Sequence, residues 1–486
     1  MELIKKKKKI LLLELLGFLI LTVLTFCMAA ILLQVKETSY TWLRSTKKIL
    51  TVNGLFPGPP IYMRRGDRLN INVRNKGKYN HGVKQPGNPW SDGPNYVTQC
   101  PIKLGANFTY EIVLSSEEGT LWWHAHSDWS RSTVHGPLIV LPQLGKIYPF
   151  AKPHKEVPIV LASWFRGDVM EIIETALQNG GEPNQSDAFT INGQPGDLYD
   201  CSTEGTFKMV VDYGKTYLLR IINAIMNKEM FFMVASHSLT VVGTDGAYIK
   251  PINTSYIMIT PGQTMDVLIT ADQYPSYYYM ASQFTVRLRS LANEDYPVDV
   301  PQTVDTHMYI TISMNTLPCV NNSCDGPDGS RLASILNKIS FVEPSIDVIL
   351  AYYKGINGVY DTYFPNEPPY YFNFTGDDLP DTLLTPERGT KVKVLDYNSN
   401  VEIVLVDPPE VNTVGVPKNG WAAIRFRADN YECITTHTYL YMGMVHALSF
   451  GIERHASWGM DTVLIVKNGT TSSTSMLEPP SYLNPC

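Results

Sequence analysis

The segment Leu121-Trp-Trp-His-Ala-His-Ser-Asp-Trp129 holds the densest reactive chemistry of the chain. On a strand, residues two apart face one side, so His124 and His126 present converging imidazoles as metal ligands while Ala125 turns away. A His-x-His pair alone is more often incidental than a site. His81, in Asn80-His-Gly-Val-Lys-Gln-Pro-Gly-Asn-Pro-Trp-Ser-Asp-Gly93, is a third candidate, followed by a Gly- and Pro-rich turn able to close over a site. Taken by itself it reads as a structural histidine.

Holding imidazoles in this way is work for strands, and short alternating runs bounded by Gly, Pro, Asn and Asp recur along the chain, as in Arg68-Leu-Asn-Ile-Asn-Val-Arg74. Alternation puts one face in a core and the other in water, which implies sandwiches or barrels. A glycine turn followed by such a strand appears at Gly66-Asp-Arg-Leu-Asn-Ile-Asn-Val, Gly214-Lys-Thr-Tyr-Leu-Leu-Arg-Ile and Gly389-Thr-Lys-Val-Lys-Val-Leu. A second phrase recurs at Gly105-Ala-Asn-Phe-Thr-Tyr-Glu-Ile, Pro261-Gly-Gln-Thr-Met-Asp-Val-Leu and Pro417-Lys-Asn-Gly-Trp-Ala-Ala-Ile. Spacings of roughly 150–175 residues exceed solenoid periods and suggest three copies of one β domain. The stretch from about Ser290 to Ser345, with Pro, Asn, Asp and the pair Cys319-x4-Cys324, reads as a linker. One short helix is expected near Asp168 to Gln178, and nothing else asks for one.

The 486 residues are enough for about three domains of roughly 100–200 residues. A net charge of −6, with Lys5 to Lys9 the one dense basic run, gives no attraction to nucleic acid. That run opens a nearly apolar stretch, Ile10 to Leu33, read as a signal peptide whose cleavage site is expected at the small residues Ala29 and Ala30 near its end. The same stretch is long enough to serve as an uncleaved anchor. Six N-glycosylation sequons, at Asn107, Asn184, Asn253, Asn321, Asn373 and Asn468, fit a secreted chain. Cys27 leaves with the leader, so Cys100, Cys201, Cys319, Cys324, Cys433 and Cys486 face an oxidising compartment, in no zinc-site spacing.

At His81 to Gly93, Thr98-Gln-Cys-Pro-Ile102, Gly119 to Ser127, Val134-His-Gly136, Asp407-Pro-Pro-Glu and Thr413-Val-Gly-Val-Pro-Lys-Asn-Gly-Trp421, the chain closely resembles plant laccases. The resemblance runs with gaps from about Gln34 to Cys486. It implies an all-β chain of three cupredoxin-like Greek-key domains, at 34–147, 156–289 (shortened) and 346–486 (incomplete), after a signal peptide at 1–30 and with a linker at 290–345. It also implies copper as cofactor, four ions in the family: a type 1 copper takes single electrons from phenols, and a trinuclear cluster passes four to dioxygen, giving two waters. Imidazole and thiolate suit such sites, with a weak axial ligand tuning the potential. The expected partners are small phenols such as monolignols and O2, with no nucleic acid and no stable protein partner, in the apoplast.

Against the family pattern of ten histidines and one cysteine in four motifs, only Trp-His-Ala-His-Ser is whole. The first motif reads Tyr79-Asn-His-Gly82, keeping His81 and losing its type 2 neighbour. The third, His-Pro-x-His-x-His-Gly, is absent, because Val401-Glu-Ile-Val404 runs directly into Leu405-Val-Asp-Pro-Pro409. The fourth keeps its tail, Ile452-Glu-Arg-His-Ala-Ser-Trp-Gly-Met460, in which His455 matches the type 1 histidine and Met460 the axial position. The cysteine position falls at Phe450, and Cys433, His437 and His446 do not reproduce the family spacing. The expected metal residues are therefore His81, His124 and His126, remnants of the trinuclear cluster, with His455 and Met460 apart from them. No catalytic residue is assigned, and one metal ion or none is expected.

The breaks are sharp, which points to a misassembled reading frame or a spliced product. By the same resemblance Cys100 pairs with Cys486, Cys319 with Cys324 closes a local loop, and Cys201 lacks its partner because Arg44 stands in that position.

Overall fold

A computed structural model describes residues 30–76, 89–91, 95–114, 117–126, 128–196, 206–281, 301–370, 385–407, 420–428, 445–447, 453–471 and 474–486. Strands dominate, and one arrangement occurs three times. In the first domain Ala30–Trp42 runs parallel to Arg68–Asn75, which pairs antiparallel with Asn107–Val113. In the second, Lys155–Trp164 runs parallel to Thr216–Ala224, which pairs antiparallel with Thr264–Thr270. In the third, Thr306–Leu317 runs parallel to Ser399–Asp407, which pairs antiparallel with Gly420–Ala428. The all-β expectation of three related domains holds.

Period-2 patterning is the cause. Along Arg68–Asn75 the apolar Leu69, Ile71 and Val73 are buried, and they meet Leu138 and Val140 of the opposing layer. That layer orders Ile61–Arg64, His135–Leu141 and Gly119–His124, the first pair parallel and the second antiparallel. The third domain repeats it as Val392–Leu395, Val463–Val466 and Val445–Ala447.

Several expectations need correction. The segment read as a linker over 290–345 is structured from 306 on: Thr306–Leu317 is a central strand of the third sheet, flanked by Arg331–Leu336 and Ser399–Asp407. Its Met308, Ile310 and Ile312 alternate into the core, a period outweighed in the sequence by the Pro, Asn and Asp around it. The phrase at Gly389 enters the smaller sheet through Val392–Leu395, and the strand equivalent to Arg68–Asn75 is Ser399–Asp407. The apolar N-terminal run ends inside the first strand, where Leu33 is buried in the first core. Of the leader, residues 1–29 lie outside the described residues.

The helix expected near Asp168 spans Val169–Asn179, with the Asp168 side chain accepting from the backbone N–H of Met170 and Glu171. Two helices were not anticipated. Val348–Lys354 is capped by Asp347, and Glu453–Ser457 is also short; neither has enough turns to show a helical period.

The connections between the two antiparallel strands differ in length. They take residues 76–106 in the first domain and 225–263 in the second, where the latter include the strands Met230–Val234, Leu239–Thr244, Ala247–Thr254 and Ile257–Ile259. In the third domain they take only 408–419. Gly420–Ala428 consequently ends its sheet, with Ser399–Asp407 as its one strand neighbour among the described residues.

A seam closes the first domain on the third. Trp90 and Val97 pack with Phe341, Val348, Ile349 and Val463, and Trp90 Nε1 donates to the Leu477 carbonyl at 2.9 Å. Cys100 and Cys486 are bonded as expected, with Cα atoms 4.9 Å apart. Cys319 and Cys324 are bonded too, at 6.0 Å. Cys201 and Cys433 lie outside the described residues.

Candidate metal centre

His124 ends the strand Gly119–His124, directly opposite His135 in the antiparallel register. The strand stops there, yet the backbone N–H of Ala125 donates to the Val134 carbonyl at 2.9 Å and carries the alternation one step further. His124 and His126 therefore meet on one side, with ring centroids 4.9 Å apart, as their spacing predicts. The Trp122 ring lies 4.2 Å from the His124 ring, giving it an apolar wall.

The second domain holds this strand in place. Trp122 Nε1 donates to the Gly262 carbonyl at 2.9 Å, and Thr264 Oγ1 donates to the Thr120 carbonyl at 2.5 Å. Arg220, buried, reaches Asp266 at 3.1 Å, Thr120 Oγ1 at 3.3 Å and Glu156 at 2.7 Å, while Thr120 Oγ1 donates to Asp266. The charge pair is acceptable because the guanidinium and Asp266 neutralise each other and the remaining hydrogen bonds are made. Gly119 is required here: its φ is +133°, and a Cβ would stand 2.7 Å from Asp266 Oδ2.

Burial pushes the His124 imidazole well below its ordinary range, with His126 and Arg131 adding to the effect and the Ala125 carbonyl opposing it. Burial lowers His126 to about 4, with Arg131 helping. These rings are neutral at pH 7, the form that binds metal. His124 Nδ1 lies 2.8 Å from the Ala125 carbonyl, which places the proton on Nδ1 and makes Nε2 the donor lone pair.

Sequence reasoning did not single out His135 as a member of this neighbourhood. It is fully buried and also lowered to about 4, chiefly by burial; its Nδ1 donates to the Arg131 carbonyl at 2.7 Å, and among the described residues Nε2 has no hydrogen-bond partner. Val134-His-Gly136 was visible in the sequence, but only the strand register places His135 across from His124.

His455 and Met460 are both buried, on and just after the helix Glu453–Ser457, and the Met460 N–H donates to the His455 carbonyl at 3.0 Å. Met460 belongs to the third core with Ile310 and Leu464. The His455 helix packs against the turn Asp128–Ser132 that follows His126. His81, Cys433, His437 and Phe450 lie outside the described residues.

The neutral pair, His124 buried and His126 half-buried, fits an imidazole-bound ion. The full four-copper set does not fit, since the sequence carries Phe450 at the thiolate position and lacks the third motif. Among the described residues, the one group of three His, Cys, Asp or Glu side chains with ligand atoms within 4.8 Å of one another is Cys100, Asp347 and Cys486, and its sulfurs are bonded to each other.

Three multicopper oxidase models match the chain, over residues 34–144, 155–298 and 383–470. The chain is 43% identical to Laccase-14 of Arabidopsis thaliana, with 93% of each chain covered, and 42% identical to Putative laccase-9 of Oryza sativa subsp. japonica, with 93% of this chain and 94% of that one covered. The match to Laccase-14 extends over 545 positions, more than the 486 residues of the chain, so that relative carries segments missing here. The fold is similar to that of a laccase from Botrytis aclada, with a TM-score of 0.66 at 22% identity over 92% of this chain and 88% of that one. Matches to the family in all three domains, and identity above two fifths to a plant laccase over nearly the whole length, establish that the chain belongs to the multicopper oxidases, among the plant laccases.

Proposed function

We propose that this chain is a secreted, glycosylated laccase relative that holds at most one metal ion, through His81, His124 and His126, and does not turn over phenols. The activity of its family is laccase-type oxidation of phenolic donors with O2 as acceptor, and copper is the family's metal. Copper supplies one-electron redox chemistry when bound; an ion on imidazoles alone cannot store the four electrons that dioxygen reduction needs. The observation that carries the reading is the pair of losses in the third domain: Phe450 in place of the thiolate, and Val404 running directly into Leu405 where the three-histidine motif would stand. Lignin-type phenols in the apoplast are the substrates of the intact enzyme on this reading, and 1–30 is the leader that takes the chain there.

Copper analysis of the purified chain, joined to oxygen uptake with a phenol, tests it. The expected result is one metal ion or fewer, no blue thiolate-to-copper band and no uptake. Phenol oxidation with matching uptake, abolished by His124→Ala, would overturn it.

A second reading is favoured by the length difference from Laccase-14: the missing segments come from a misassembled reading frame or a spliced transcript. Sequencing the transcript separates the two, because one continuous frame removes misassembly.

A further inference from the structure

One end of the second domain displays phenols to solvent. Tyr277 is fully exposed, Tyr274 is 83% exposed and Tyr213 is 68% exposed, beside Val210 at 91%. Two backbone hydrogen bonds hold their turns side by side: Gly214 N–H to the Ala271 carbonyl at 2.7 Å, and Ala271 N–H to the Lys215 carbonyl at 2.9 Å. Thr216 pairs with Thr270, so both turns stand at the same end of the sheet and expose phenol rings there, on which a flat aromatic can stack. Tyr278, next after Tyr277 in sequence, is already engaged: its hydroxyl donates to the Tyr274 carbonyl at 2.6 Å, and its ring packs edge-on to His237 at 4.8 Å.

We infer that Tyr274 and Tyr277 are a covalent modification site, at which phenoxyl radicals of small phenols couple to the protein. The inference rests on the reading that the chain shares a compartment with oxidised phenols. Each coupling removes one hydrogen atom from the tyrosine and one from the small phenol, and the two radicals form a carbon–carbon or carbon–oxygen bond. Two electrons and two protons leave per bond. The oxidant is dioxygen acting through an intact copper phenol oxidase, so one O2 reduced to two waters serves two couplings. The patch collects the small phenol beside a tyrosine that is itself oxidisable, and exposure leaves the ring positions ortho to the hydroxyl open to attack.

The test incubates the full chain in air with an intact laccase and coniferyl alcohol, then maps adducts by peptide mass spectrometry. Free N-acetyltyrosine amide in the same mixture reports that coupling occurs, and omission of the added oxidase reports any activity of the chain itself, which would bear on the proposed function and not on this site. The expected adducts lie on the segment holding Tyr274 and Tyr277, well above those on Tyr363, which is 79% exposed in the third domain. They are lost in the variant carrying Tyr274→Phe and Tyr277→Phe. A second variant, Val210→Ser with Tyr213→Ser, keeps both target phenols and should lower their labelling to the Tyr363 level. Labelling of Tyr363 equal to that of Tyr277, or coupling to the free amide with none to the protein, would overturn the inference.

Discussion

The first and third domains repeat one strand arrangement and differ in what fills it. In the first, residues 76–106 separate the antiparallel strands, and the strand Gly119–His124 with the residues just after it brings an imidazole pair together while the second domain braces that strand. In the third, the strands are joined through 408–419, and the counterpart strand Val445–Ala447 pairs with Val463–Val466 as Gly119–His124 pairs with His135–Leu141. A β scaffold survives the loss of its connections more readily than a metal site does. Ladders need only matched backbone groups, whereas a site needs particular side chains from several elements at once.

Proteolysis gives the largest expected contrast. Among the described residues Gly420–Ala428 ends its sheet, and edge strands open more easily than paired ones. Limited proteolysis should cut between about Glu402 and Phe450 before it cuts the first domain, with rates differing roughly a hundredfold for an opening cost about 3 kcal/mol lower. Equal resistance in the two domains would show the third sheet to be closed as firmly as the first.

Arg220→Ala attacks the wall behind the histidine strand. It strands Asp266, a buried carboxylate, without its cation, and should cost about 3–5 kcal/mol in denaturant unfolding. A loss below about 1 kcal/mol would mean that the hydroxyl and backbone N–H of Thr120 suffice to hold that charge. The double variant Cys100→Ser, Cys486→Ser instead frees the first domain from the C-terminal strap, for an expected loss of about 2–5 kcal/mol. The apolar seam around Trp90 and Val348 remains, so the domains should stay associated in hydrodynamic measurements.

How far the sequence reached can be judged residue by residue. Val73 and Ile71 announced their strand because alternation is local, and the facing of His124 and His126 followed from the same period. His135 and the Arg220 network were not legible, since they depend on a register and a domain contact spanning up to 146 positions, as in Thr120 to Asp266. Thr306–Leu317 was missed for a different reason: turn-forming residues on both sides hid an alternation that was present.

The smallest effect separates the first domain's two junctions by pH. At the junction with the second domain, Asp245 is buried, and burial raises its carboxyl to about 7 despite the hydrogen bonds from Thr264 and Thr244. At the junction with the third domain, Asp347 lies 3.6 Å from Cys100 Sγ and is raised to about 6, again chiefly by burial. In both, the folded state holds its proton more tightly than the unfolded chain, whose value is 3.8. The stabilisation is thus fully present below about pH 4 and is lost as pH rises through the folded values, toward 6 for Asp347 and toward 7 for Asp245, at up to roughly 1.4 kcal/mol per pH unit for each group. Asparagine keeps an oxygen for the Thr264 and Leu350 N–H donors and cannot ionise. Asp347→Asn should therefore remove the part of the slope between pH 4 and 6, and Asp245→Asn should in addition flatten the stretch from 6 to 7. If Asp245→Asn leaves the slope between pH 6 and 7 unchanged, that carboxylate is solvated in the folded protein, and the wall behind His124 is wetter than its packing indicates.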